Sequence, residues 1–352
     1  MKKSLLMTTA LVALVSASNA RAEDWTVSAP ESIENQILNK DNVTIQAGGE
    51  IAISGDTESG IIAKSFTMEG GKLTATSVNG SADTGIFVKS DSSDINLNGG
   101  TIELTNSRIY KGNDTETSGD INISGGDITL NKDAYIEMRK ENSGNVNITG
   151  GNLLLNENSA LLINSNNDQE VEGNASKVII NGEGAQITAT GNNRITGNID
   201  FTNGTLTVSD NASLTSGDIT MSGEDAQIDL SGQLNTNISG NGNISFQNSA
   251  SNISGNVSGS HLTFEADHSL SQAISGGISN LASLSVDKGT LTYDKPSEGL
   301  LGNVKVAQGA GLNVNKFMQT NDLTLNGKVS INDDVAAQGN ITIADASIDM
   351  NG

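Results

Sequence analysis

Two histidines, His261 and His268, and no cysteine are all this chain offers of the side chains that most often do covalent or metal chemistry. Without thiols it holds neither a disulfide framework nor a thiolate metal site. A Ser-His-Asp hydrolase needs one of those histidines beside a serine and an aspartate in space, and both read as surface or loop residues. Sugar hydrolysis needs two carboxylates at a defined separation. Adjacent acids stand at Glu23-Asp24, Glu224-Asp225 and Asp333-Asp334. The chain has 41 acids, so such pairs arise by chance. The last two pairs also lack neighbouring basic and aromatic residues to hold a sugar ring.

Cations and phosphates fare no better. Asp91, Asp94, Asp114 and Asp120 are loop carboxylates that could offer a weak calcium site. The calcium-binding solenoid signature requires Gly-Gly-x-Gly-x-Asp, but Gly125-Gly126-Asp127 is followed by Ile128, so these acids read as solvated turn residues. No Gly-Lys-Ser/Thr occurs, which removes the phosphate-cradling loop. Asn-x-Ser/Thr triplets such as Asn42-Val-Thr44 reflect composition in an Asn-rich chain. No catalytic, cofactor-binding or metal residue is assigned, no cofactor is expected, and the expected role is not enzymatic.

What would position any functional group is a repeat. Ser118 to Leu130 reads Ser-Gly-Asp-Ile-Asn-Ile-Ser-Gly-Gly-Asp-Ile-Thr-Leu; it recurs 25 positions on, from Ser143 to Leu155, and 26 positions back, from Ser92 to Leu104. Each copy is two alternating strands around a Gly-Gly corner. Ile121 and Ile123 point one way and Asn122 the other; Ile128 and Leu130 point inward again. A single copy leaves its apolar row bare, so copies must stack. Corners recur every ~20 to 30 residues from Gly48 on, the length of a solenoid coil. They loosen between Ser231 and Thr320. Only Ile33, Ile37 and Leu38 hint at helix. Two strands around a corner also describe a hairpin; recurrence with variable loops favours coils. Stacked coils would also set Asn above Asn, where amides bond along the stack.

Composition narrows the class. Formal net charge is −22 and aromatics are only 3%. A chain this acidic does not bind nucleic acid or anionic lipid through bulk charge. Residues 1–22 read as a signal peptide: Lys2 and Lys3, an apolar run from Leu5 to Val15, then Ala20-Arg21-Ala22. Residues 23–47, with the sole tryptophan Trp25, read as an N-terminal cap, and 48–352 as the repeat array.

A secretion leader, no cysteine, few aromatics and degenerate Gly-Gly-x-Ile/Leu repeats rich in Asn, Ser and Thr resemble the passenger region of bacterial autotransporters and related surface adhesins. The resemblance implies an all-β, right-handed parallel β-helix, at the surface of a Gram-negative cell or secreted from it. It also implies an outer-membrane β-barrel translocator, expected in a region beyond residue 352 or on a separate chain. Passenger proteases of that family carry a Gly-Asp-Ser-Gly motif, absent here. The expected function is an adhesin or self-association rod. It would bind a host or bacterial surface ligand, or a second copy of itself, through larger loops such as 105–118 and 164–176. The alternatives are a β-helical enzyme acting on polysaccharide and a passive surface stalk.

Overall fold

The computed structural model describes residues 23–55, 59–78, 84–88, 93–112, 118–139, 144–166, 169–170 and 176–351. The predicted signal peptide, Asp91, Asp114 and parts of the segments 105–118 and 164–176 lie outside them.

The repeat spacing becomes the stacking register. Ile121 sits above Ile95 and below Val146, and Asn122 lies between Asn96 and Asn147. Beyond the Gly-Gly corner, Ile128 sits between Ile102 and Leu153. Strand pairing between coils is parallel throughout. Among the described strands one pair is antiparallel, Ala160–Asn166 with Gln169–Glu170. A hairpin array would pair each strand antiparallel with its sequence neighbour, so the fold is a parallel β-solenoid.

The corner explains its glycines. Gly126 has φ +83°, and a Cβ there would lie 2.6 Å from the Gly100 carbonyl oxygen of the coil below. Both the handedness of the turn and the close approach of stacked backbones require the missing side chain.

Each coil contributes to long lanes. Lane one holds strands such as Ile95–Leu97, Ile121–Ile123 and Val146–Ile148; lane two holds Thr101–Thr105, Asp127–Asn131 and Gly151–Leu155. The two lanes form one sheet because Val178–Ala189, Ile199–Val208 and Ile219–Leu230 run unbroken through the corner between them. Lane three, a second sheet, runs from Ile37–Asn39 to Asn252–Ile253. The inward row of lane two is continuous from Ile33 through Leu104, Leu130 and Leu155 to Ile343. Burying each such side chain stabilises the stack by roughly 1.5–3 kcal/mol.

The loosened stretch marks a change of cross-section. Lane three's last strand is Asn252–Ile253, which Ile274 bridges one coil on; in that coil a fourth lane begins at His268–Ser269, and a one-turn helix α1 (Leu270–Ala273) links it to Ile274. The fourth lane continues through Thr290–Tyr293 and Gly311–Val314 to Ser347–Met350; a short fifth lane pairs Met318–Thr320 with Val335–Ala337. The helical hint at Ile33, Ile37 and Leu38 is overridden, since all three lie in strands that pair with the next coil. Trp25 likewise joins lane one below Val43 and packs partly buried on the core.

Candidate functional site

Lane three carries the departure from simple alternation. In Thr84–Val88, Arg108–Lys111, Tyr135–Arg139 and Ala160–Asn166 the inward row is Ile86, Ile109, Ile136 and Leu161. The next position along each strand points outward by parity. It is Phe87, Tyr110, Glu137 and Leu162, in one register row, and all four are buried. An outward face with apolar rings and a carboxylate, both removed from water, is unlike the solvated Thr, Ser and Asn rows elsewhere.

Arg108 holds this face together. It sits in register between Gly85 and Tyr135. Its guanidinium lies 5.4, 5.5 and 5.8 Å from the ring centres of Phe87, Tyr110 and Tyr135. Its Nη1 donates to the Tyr135 hydroxyl at 3.1 Å and stands 3.7 Å from Glu137 Oε2. Arg139 also stacks over Tyr110, at 4.8 Å from the ring centre. Desolvated cation–π contacts contribute up to about 2 kcal/mol each. The Glu137 carboxylate is 1% exposed, and burying it costs several kcal/mol unless a cation compensates. Gly85 makes room, since a Cβ there would fall 1.9 Å from the Arg108 carbonyl oxygen.

Lys111 ends the Arg108 strand in register with the inward Met138, fully buried. Its Nζ donates to the Ser93 carbonyl. Burial pulls its pKa below the ordinary lysine value, and the charges of Asp94 and Asp120 oppose that pull.

The longer connections follow consecutive strands of lane three. Residues 112–120 separate Arg108–Lys111 from Ile121–Ile123, 140–145 separate Tyr135–Arg139 from Val146–Ile148, and 167–177 separate Ala160–Asn166 from Val178–Ala189. Only Gly217 and Asp218 separate Ser213–Ser216 from Ile219–Leu230. The aromatic and arginine face therefore lies on the strands that the longer connections follow in sequence. Residues 108–111, read from the sequence as part of a binding loop, are a strand; the apolar Ile109 and its register partners Ile86 and Ile136 hold them in lane three.

The two calcium candidates among the described residues, Asp94 and Asp120, are spent on the scaffold. Asp94 Oδ1 accepts the Asp120 N–H at 2.8 Å, and Asp120 accepts from Asn145 N–H at 2.8 Å and Asn147 Nδ2 at 3.0 Å. Asn145 Oδ1 accepts the Lys177 N–H in turn. Among the described residues no group of three His, Cys, Asp or Glu side chains is arranged to hold a metal ion.

The other sequence candidates scatter. Asp24 accepts from Asn42 Nδ2 at 2.6 Å. Glu224 and Asp225 meet Glu183 at a polar cavity of ≈ 560 Å³ on the lane-one to lane-two corner. Asp333 and Asp334 border an apolar cavity of ≈ 550 Å³ on the last rung. His261 Nδ1 lies 2.8 Å from Ser283 Oγ, with no carboxylate hydrogen-bonded to that ring among the described residues. His268 is not a surface or loop residue: it enters lane four facing inward, because Leu291 above it fixes the register.

The sequence reading passed over Phe87, Arg108, Tyr110, Tyr135, Glu137 and Arg139. A signal was present: two of the chain's 3 tyrosines fall in one short region, one residue off the aliphatic parity. Protein-family models, curated proteins and solved structures give no match to this chain.

Proposed function

We propose that this chain is an exported β-solenoid passenger, right-handed as in the family it resembles, displayed at a bacterial surface or secreted. It acts as an adhesin or self-association rod, with a separate or downstream β-barrel as its translocator. The observation that carries the reading is the buried Arg108 and Arg139 aromatic face on neighbouring strands, each followed by a long connection. A rigid stack gives reach, and long connections after neighbouring strands supply a local surface on which a ligand can be read. The acidic surface keeps the long rod soluble. The test is adhesion of beads carrying the full chain to bacterial and host cells. Replacing 113–117 with Gly-Ser should abolish adhesion while the β-type circular dichroism spectrum stays unchanged. Adhesion that survives, together with survival after deletion of whole coils elsewhere, would leave the passive stalk.

A second reading rests on the cavity lined by Glu183, Glu224 and Asp225. Carboxylates facing a polar cleft are the groups sugar hydrolysis uses. Cleavage of a glycan panel, lost on Glu224→Gln, would favour that enzyme over the adhesin.

A further inference from the structure

The turn Glu265-Ala-Asp267 leads from lane two into lane four, and the first residue beyond it is His268. Lane four's inward row continues as Leu291, Leu312, Val329 and Ile348. An imidazole therefore heads a row that is otherwise aliphatic. It is 6% exposed. Its ring centre lies 5.6 Å from Phe246 and 5.3 Å from Phe264, edge-on to both, and those two rings stack at 4.7 Å. The Asn248 backbone carbonyl accepts one hydrogen bond from the ring. Nε2 is buried with no partner.

We propose that His268 is an acid-operated latch. Neutral, it seals the seam where lane three gives way to lane four; protonated, it places an unpaired charge in the core and opens the coils between Phe246 and Tyr293.

Among the described residues no carboxylate forms an ion pair with that ring. Asp267 favours the protonated ring from the adjacent position, but its Oδ1 is taken by the Thr290 N–H at 2.7 Å. Glu265 is held by Lys288, and Asp294 by Ser269 and Ser271. Asp210 accepts from the Asn248 side-chain amide, and the Tyr293 hydroxyl accepts the Ser297 N–H. Rings meeting edge-on return at most a modest cation–π attraction, less than the cost of an unpaired ion in an apolar core. Burial accordingly pushes the imidazole below its ordinary value. The sign follows: the neutral ring's contribution is full above the unfolded value of about 6.5 and is lost as pH falls below it, because the unfolded chain then binds the proton more readily. At this seam a new lane enters and a helical turn interrupts the stack, so opening there need not unzip the continuous lanes.

Amide hydrogen exchange on the full chain at pH 7.5 and 5.0, corrected for intrinsic rates, tests the latch. Protection between Phe246 and Tyr293 should fall about tenfold or more at pH 5.0, while peptides covering 121–155 hold. His268→Leu should remove the difference, and His261→Leu should keep it. Equal protection at both pH values, or a His268→Leu chain as acid-sensitive as the wild type, would overturn the proposal. If the leucine variant does not fold, an NMR titration of the wild-type imidazoles decides: a His268 ring titrating at or above the ordinary value overturns it.

Discussion

Asp294 caps a helix from one coil further on: its Oδ1 accepts the Ser271 N–H at 2.9 Å. Ser269, at the N-cap position of α1, makes no side-chain cap bond of its own. Asp294 Oδ2 instead accepts from the Ser269 and Ser271 hydroxyls at 2.6 and 2.7 Å. A four-residue helix is too short to persist alone, so it exists because the next coil satisfies its first turn.

That arrangement predicts an acid limit distinct from the His268 window. Burial pushes the Asp294 carboxyl up, but hydrogen bonds from Ser269, Ser271 and its own backbone hold it below the usual value. A depressed carboxylate contributes stability above the unfolded value of about 3.9 and loses it as pH falls through the folded value. Asp294→Asn should lower stability at pH 7 by about 1 kcal/mol. It should also flatten the melting curve's pH dependence below about 4. Thermal melts from pH 7 to 3 check both.

The asparagine row makes a second prediction. Asn122 Nδ2 donates to Asn96 Oδ1 at 3.0 Å, and Asn122 Oδ1 accepts from Asn147 Nδ2 at 2.9 Å. Both amides are half-buried, so each broken bond strands a polar group between coils. Asn122→Ala should cost about 1–3 kcal/mol in urea unfolding. Asn122→Asp keeps the acceptor and loses the donor, beside Asp120; at pH 7 it should fall at or below the alanine variant.

How much of this was legible follows from what period and parity encode. The slide of Ser118 to Leu130 onto its neighbours gave the register, the inward Ile row and the Asn ladder, because stacking copies identical residues along one axis. Glu137 shows the limit. Its parity says outward and solvated, and only the third dimension brings Arg108 of the adjacent coil against it. His268 fails for a related reason: the change from lane three to lane four resets which positions face the core, and no repeat spans that change. Helix α1 has Ser269 at its N-cap position, but four residues show no helical period, and the cap bond comes from Asp294 instead.

The Arg108 and Glu137 pair gives a third prediction. Their side chains are 17% and 2% exposed, so removing the cation leaves a buried carboxylate. Arg108→Ala should destabilise by about 3–5 kcal/mol. Glu137→Gln should cost less, because a neutral amide remains. In a double-mutant cycle Arg108→Ala on the Glu137→Gln background should cost measurably less than on the wild type. Additive losses would mean that Arg108 acts through its stacking on Phe87 and Tyr110 alone.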